Sequence, residues 1–117
     1  MNKSLVLEKA IRFALRIVKL YKYLSEEKKE YILSKQLLIS GTYIAKFAKA
    51  ATQSQNRAGF ASSMNSALQR ASESEFWLLI LREGEFLGNR EHESMNDDCV
   101  ELIKMLSAIV KTTTKNV

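Results

Sequence analysis

The residues of this sequence that could carry out chemistry are few, and they do not combine into a catalytic set. His92 is the only histidine, so no second imidazole is available to share a zinc ion with it. Cys99 is the only cysteine, and the acidic residues around it oppose the electropositive surroundings that a reactive thiol needs. We interpret Cys99 as a small buried apolar side chain. We predict no catalytic residue, no bound metal and no cofactor.

The di-iron carboxylate proteins are the enzymes most readily expected of a helical bundle, and the sequence does not indicate one. Such a site needs inward glutamates and a Glu-x-x-His motif on each of two helices. The residue three positions before His92 is Asn89, so the motif is absent. We interpret Glu75, near the core side of the third predicted helix, as an ion-pair partner of a basic residue on an adjacent helix, with general-acid catalysis as the alternative. Glycine-rich phosphate motifs are also absent, so we predict that the protein is not an enzyme.

The strongest functional signal is the uneven distribution of charge. Residues 1–55 hold eleven Lys or Arg and four Asp or Glu, a net charge of +7, whereas residues 56–117 carry a net charge of −2. A basic surface attracts the phosphates of RNA or DNA without reading their sequence. The predicted contact residues are four cations spaced three, four and three residues apart on the first helix, then two on the second: Lys9, Arg12, Arg16, Lys19, Lys46 and Lys49. The alternative is a structural or protein-interaction module, in which these cations only face solvent.

These residues lie on helices that the apolar pattern predicts. The chain has no proline, and its apolar residues recur with a period of about 3.6 residues. Ser25 is expected to cap the second helix after a connection of only a couple of residues, and Gly84, Gly88 and Asn89 mark a loop through their tolerance of left-handed backbone. The four helices are expected at about residues 3–24, 26–53, 57–85 and 91–113. We predict an all-α fold, an up-down-up-down antiparallel four-helix bundle, in a single domain of residues 1–117.

Gly41 lies on the core side of the second predicted helix. A glycine inside a helix costs about 1 kcal/mol relative to alanine. We therefore expect a neighbouring backbone to pack closely against this position.

The first predicted helix is apolar on two sides, which is more than one core requires. A monomer rarely leaves a large contiguous apolar patch open to water. We therefore predict a homo-oligomer. Trp77 and Ile80 of the third helix are expected to point away from its core seam, with packing on a neighbouring helix of the same chain as the alternative. The predicted interface residues are Leu7, Ile11, Leu15, Val18, Trp77 and Ile80.

The sequence also indicates where the protein works. No apolar run approaches the roughly 20 residues that a membrane-spanning helix needs. Charges at Glu8, Lys9 and Arg12 interrupt any signal-peptide core near the N-terminus. We expect a cytoplasmic protein that does not enter the membrane.

Three segments of the sequence resemble a bacterial protein family. They are SKQLLISGTYI (Ser34–Ile44), the spacing from Ser54 to Phe60, and ALQRASESEFWL (Ala67–Leu78). Together they are similar to the four-helix-bundle family of 23S ribosomal RNA intervening-sequence proteins, also called S23 ribosomal protein-like, to which the accessory protein of diversity-generating retroelements is related. The resemblance extends over about residues 10–110.

The resemblance implies an assembly and a class of ligand. It implies pentameric rings of four-helix subunits, hence a homopentamer here. It also implies nucleic-acid binding and, as in the retroelement relatives, a protein partner such as a reverse transcriptase. The chain departs from the family pattern at Ile39, where arginine is usual, and at Lys46 and Lys49, which lie in a segment where small polar and acidic residues are usual.

Overall fold

The computed structural model describes the backbone of residues 3–115 and the side chains of residues 5–114. In that part of the chain it contains four α-helices and no strand. They are α1 (Lys3–Glu26), α2 (Leu33–Thr52), α3 (Arg57–Glu83) and α4 (Asn89–Lys115). Each helix packs against the next, α1 also touches α4, and α1 and α3 lie on the diagonal of a bundle measuring 46 × 20 × 19 Å. The predicted all-α four-helix bundle is confirmed, and residues 1–2 and 116–117 of the predicted domain lie outside the described residues.

The core is built from apolar side chains that recur every three or four residues along each helix. On α1 the core seam has Leu20 half-buried against the same cluster and its other members fully buried: Val6, Ala10, Phe13, Ile17 and Leu24. The buried positions of α3 are mostly small, including Ala61, Ala67 and Ala71. Small side chains let α3 approach its neighbours closely.

Gly41 is buried in α2 where that helix crosses α1. A Cβ atom placed on it would lie 2.8 Å from Cγ1 and 3.0 Å from Cγ2 of Ile17. The expected close approach is therefore present, but the neighbour is the branched side chain of Ile17 and not a backbone. The absence of a Cβ at this position makes room for Ile17 in the core.

Two polar contacts between helices are buried within the same core. The Ser74 hydroxyl of α3 donates to Oγ of Ser40 in α2 at 2.9 Å. The Cys99 thiol of α4 lies 3.2 Å from the carbonyl oxygen of Ala71 in α3. Because buried polar groups need partners, these pairs favour one register of α3 against its two neighbours.

The connection between α1 and α2 differs from the prediction. Ser25 does not cap α2; it lies inside α1, and its hydroxyl donates to the Tyr21 carbonyl at 2.8 Å. The connection spans residues 27–32, and the buried Glu30 carboxylate caps α2 instead. It accepts the backbone N–H groups of three residues, at 3.1, 3.0 and 2.6 Å: Ile32, Leu33 and Ser34. A charged acceptor with three donors stabilises a helix start more than one serine hydroxyl does, so α2 begins at Leu33 and not near residue 26.

The other two connections lie close to their predicted positions. Asn56 caps α3 by accepting the Gly59 N–H at 2.7 Å. The loop of residues 84–88 joins α3 to α4, but its left-handed residue is Glu85, with φ of 67°, and no described glycine has a positive φ. The N–H groups of Glu85 and Phe86 bond back to carbonyls of the last turn of α3. This hydrogen-bonding pattern is the Schellman motif, which places the left-handed residue one position after Gly84.

Candidate nucleic-acid interface

The cations predicted at the start of α1 are engaged with carboxylates. Nζ of Lys9 lies 3.2 Å from Oε1 of Glu101 in α4. Arg12 forms an ion pair with Glu8, one turn earlier in α1. These side chains are all partly exposed to solvent, so each pair is screened and contributes at most about 1 kcal/mol.

Arg16 is held by more contacts than the other three predicted α1 cations. Its Nη1 lies 2.6 Å from Oδ2 of Asp98, and its Nη2 donates to the Ser94 hydroxyl at 2.8 Å. Of the four predicted α1 cations, only Lys19 forms no ion pair within the described part of the chain. Two of the four thus connect α1 to α4, the neighbouring helix that α1 contacts least. A phosphate binding here would compete with the carboxylates of α4.

The cations of α2 are free of such partners. No acidic residue occurs from Tyr31 to Ser72, a range that includes all of α2. Lys35, Lys46 and Lys49 are exposed, and among residues 5–114 none of them forms an ion pair. The positive charge of the first half of the chain is therefore not compensated by ion pairs on α2. Among the described residues the same is true of Lys19, Lys22, Lys28 and Lys29, but only α2 is a helix without acidic residues.

An aromatic ring lies among these cations. Nζ of Lys46 lies 4.2 Å from the ring centroid of Tyr43, and Cζ of Arg70 in α3 lies 4.9 Å from it. Tyr43 packs edge-on against Phe47, with the ring centroids 6.2 Å apart. Arg70 also lies 3.4 Å from a carboxylate oxygen of Glu73. We call the following set the α2 basic face: Lys35, Tyr43, Lys46, Lys49 and Arg70.

The sequence prediction ranked the two basic groups differently. It placed the α1 cations first and Lys46 and Lys49 second, and it did not include Tyr43 or Arg70. Arg70 is distant from Lys46 in sequence, and only the packing of α3 on α2 brings both to one ring. The signal that could have identified this face is the acid-free run of residues 31–72.

The apolar strip predicted on α1 is partly exposed. Ile11 and Leu15 are 45% and 59% exposed, whereas Leu7 and Val18 are half-buried. These four residues form what we call the α1 strip. Its position on the outer side of α1 agrees with the predicted second apolar side of this helix.

The apolar residues exposed on α3 are not the two that were predicted. Trp77 does not point outward; it packs against the core cluster, as the alternative interpretation expected. Ile80 is half-buried. The exposed apolar side chains are their neighbours Phe76 and Leu79, at 51% and 41%. Successive side chains of a helix point about 100° apart. An error of one residue in predicting the outward side of α3 therefore exchanges Phe76 and Leu79 for Trp77 and Ile80.

Phe76 and Leu79 line a groove between α3 and α4. The groove encloses about 450 Å³ and is bordered by Ser72, Glu75, Phe76, Leu79, Arg82, His92 and Asn96. His92 is buried, and its Nε2 has no hydrogen-bond partner in the described part of the chain. Burial, with a smaller contribution from nearby Arg82, lowers the pKa of His92 below its ordinary value, so the ring is neutral at pH 7.

The groups considered for catalysis do not form a reactive set in the described part of the chain. Burial, assisted by Glu75 and Asp98, raises the pKa of the Cys99 thiol to about 12, so it stays protonated at neutral pH. Glu75 was interpreted as an ion-pair partner, but it forms no ion pair among residues 5–114. Within the same residues, no three His, Cys, Asp or Glu side chains are placed to share a metal ion. None of the described helices is both long and apolar enough to span a membrane.

The chain resembles a solved structure in fold and sequence and matches a protein family. None of the curated proteins matches the sequence. A 1.70 Å crystal structure from Bacteroides thetaiotaomicron VPI-5482, described as a protein of unknown function from the S23 ribosomal protein family, is 43% identical. It superposes with a TM-score of 0.92 over 95% of this chain and 99% of that chain. Residues 2–108 match the family described as 23S rRNA-intervening sequence protein. The chain therefore belongs to the 23S rRNA-intervening sequence protein family.

Proposed function

We propose that this protein is a non-enzymatic homo-oligomeric module, a pentamer, that binds RNA or DNA through the phosphate backbone. The observation that supports the proposal is the α2 basic face, whose three lysines are exposed on a helix without acidic residues. The α1 cations make a smaller contribution, because carboxylates of α1 and α4 already occupy three of the four.

The geometry of the α2 basic face suits phosphates better than bases. Lys46 and Lys49 are three residues apart, so they lie on the same side of α2 and can meet successive phosphates. The face of the Tyr43 ring attracts Lys46 and Arg70, which holds these two cations in place. Because cations occupy the Tyr43 ring, this ring orients them and does not stack on bases. Binding is therefore expected to be insensitive to nucleotide sequence.

A ring of subunits would strengthen these contacts. A single subunit offers few cations, and phosphate contacts of this kind weaken steeply with salt. Once one subunit of an oligomer is bound, the others meet the same nucleic acid at a high effective concentration. The oligomer and the basic face thus act together in the proposed function.

The test is a titration of labelled single-stranded RNA and duplex DNA of random sequence over a range of salt concentrations. Lys46→Gln/Lys49→Gln should weaken binding at least about tenfold and should reduce the log–log salt slope by about two for each engaged subunit, because each lost phosphate contact releases about one counterion fewer. The matched control is Lys104→Gln/Lys111→Gln, which removes the same charge from exposed positions of α4.

Two outcomes of the titration separate the candidate functions. A loss confined to the α2 variant supports the proposal. Equal affinity and slope in wild type and both variants, or no binding by wild type at low salt, would overturn it and favour a structural or protein-interaction module.

A further inference from the structure

Two apolar surfaces lie on opposite sides of the bundle. The α1 strip faces outward from α1, and the α3–α4 groove with Phe76 and Leu79 faces outward from α3. Among the described residues the backbones of α1 and α3 are not in contact, because these helices are diagonal in the bundle and meet only through the core side chains. One copy therefore cannot close both surfaces against each other, and each needs a second molecule.

The two surfaces have complementary shapes. The α1 strip has residues spaced four, four and three apart, which makes a continuous ridge along one helix. The α3–α4 surface is a recess of about 450 Å³ between two helices. Ridges of one helix pack into grooves formed by others, and this is the common way in which helices associate.

The two surfaces also have opposite charges at their borders. Lys19 and Lys22 flank the α1 strip, and neither forms an ion pair among the described residues. Glu75 and Arg82 both border the groove; Arg82 pairs with Glu83, whereas Glu75 has no ion-pair partner among residues 5–114. Glu73 and Glu83 lie three or four residues from the exposed apolar pair, and among the same residues each shares one solvent-exposed ion pair with an arginine of α3, so the acidic groups around the groove outnumber the basic ones by one. Charges of opposite sign at the two borders favour packing of a strip into a groove over a contact between two strips or between two grooves.

We propose that the α1 strip of one copy packs into the α3–α4 groove of a second copy. This contact rests on the homo-oligomer of the proposed function and specifies the surfaces that form it. It joins two different surfaces, so every copy uses both, and a closed ring leaves neither exposed.

The two surfaces lie at different levels along the long axis of the bundle. Arg16 contacts Asp98, and Ala71 contacts Cys99, the next residue of α4, so Arg16 and Ala71 lie at about the same level. Leu79 lies eight residues beyond Ala71, about 12 Å further along α3 at 1.5 Å per residue. Copies in a closed ring must therefore be tilted relative to the ring axis, because an untilted contact would shift each copy along it.

The test uses one variant for each surface and then mixes them. Leu15→Glu places a carboxylate on the strip, opposite the acidic border of the groove, and Leu79→Lys places an ammonium group in the groove, opposite the basic border of the strip. Each variant alone should reduce the mass measured by light scattering to the 13.3 kDa monomer. An equimolar mixture should recover complexes of 1:1 composition, because the first variant keeps an intact groove and the second an intact strip.

The control places the same two charges elsewhere. Ile32 is an apolar side chain that is 74% exposed in the connection before α2, outside both surfaces. Ile32→Glu and Ile32→Lys should keep the wild-type mass. Circular dichroism of all four variants should show wild-type helix content, since every substituted side chain is more than a third exposed.

The outcomes distinguish this contact from the proposed function. A monomeric wild type at micromolar concentration would overturn the assembly and this contact together. An oligomeric wild type with Leu79→Lys still oligomeric, or a mixture that does not form 1:1 complexes, would overturn the contact alone. Nucleic-acid titration of the monomeric variants is a separate measurement, in which the single-subunit contacts of α2 should persist with lower affinity.

Discussion

α1 and α2 are both basic, amphipathic helices, but they use their cations in different ways. On α1, three of the four cations in the predicted stripe contact carboxylates, two of them across to α4. On α2, no acidic residue is present and the lysines are unpaired among the described residues. α2 is positioned without them, by the Gly41–Ile17 contact, the Ser40–Ser74 hydrogen bond and the Glu30 cap.

The difference separates cations that support the fold from cations available for binding. A positive charge that holds a neighbouring helix is already partly neutralised, so it adds little to the attraction for a phosphate. A helix fixed by buried contacts leaves its surface charges without a structural task. We therefore expect substitutions that disturb the position of α2 to affect stability most, and substitutions of exposed cations to affect it least.

Gly41→Ala should have the largest effect. The added methyl group would lie 2.8 Å from an inner branch atom of Ile17, and a β-branched side chain has little freedom to turn away. Overpacking typically costs about 1–3 kcal/mol, and the gain in helix propensity offsets about 1 kcal/mol of that cost. Urea denaturation should therefore show a net loss of up to about 2 kcal/mol in the free energy of unfolding.

The control for this prediction is Ala50→Gly at an exposed position of α2. It should also cost about 1 kcal/mol, because only the propensity of the helix changes there. If Gly41→Ala were as stable as wild type or more so, the Ile17 contact would not be what positions α2.

Glu30→Gln should have an intermediate effect that depends on pH. Burial raises the pKa of the Glu30 carboxyl, but hydrogen bonds from the backbone of Leu33, Ser34 and Ile32 outweigh it, and the pKa is lowered below 4.5. The charged carboxylate therefore stabilises the fold above pH 4.5, and this contribution is lost as the pH falls through the lowered pKa. At pH 7 the variant should be less stable by about 1 kcal/mol, the usual value of a helix cap.

Chemical denaturation at several pH values measures this prediction. The difference between wild type and Glu30→Gln should shrink below pH 4.5. Glu27→Gln, at an exposed position of the same connection, should change stability by less than about 0.5 kcal/mol. His92 adds a second pH dependence that wild type and Glu30→Gln share. Burial chiefly lowers the pKa of His92, so below pH 6.5 the unfolded chain binds a proton that the folded chain does not, and both of these proteins should become less stable as the pH falls. A difference that is constant with pH would contradict the assignment to Glu30.

The prediction from sequence succeeded where periodicity decides the outcome and failed where tertiary contacts do. The α1 seam and the four helices follow from apolar spacing alone. Ser25 and Glu30 are both capable caps, and the choice depends on a loop geometry that includes a left-handed Lys29. The pairing of Arg16 with Asp98 depends on which side of α4 faces α1. Sequence spacing alone does not show which side that is. Sequence could therefore locate the cations but not which of them are free.

Arg12→Gln/Arg16→Gln should have the smallest effect, and it tests the comparison of α1 and α2 directly. It removes the same number of charges as Lys46→Gln/Lys49→Gln. Because both arginines pair with half-exposed carboxylates, their loss should reduce the free energy of unfolding by less than about 1 kcal/mol, and by less still at high salt. Both removals lower the overall positive field equally, so any difference between the variants reflects local contacts.

If the α2 lysines are the phosphate contacts, the α1 variant should lose less than about threefold in affinity for RNA or DNA, against at least about tenfold for the α2 variant, and its salt slope should stay close to that of wild type. The reason is that Glu8 and Asp98 already partly neutralise Arg12 and Arg16 in the wild type, so these arginines add little to the attraction for phosphate, whereas no carboxylate on α2 neutralises the lysines there. Nucleic-acid titration with the oligomer mass checked by light scattering measures both variants under one set of conditions. An α1 variant that loses as much affinity and slope as the α2 variant would show that phosphates displace the α4 carboxylates from the arginines, and that the ion pairs of the free protein do not decide where nucleic acid binds.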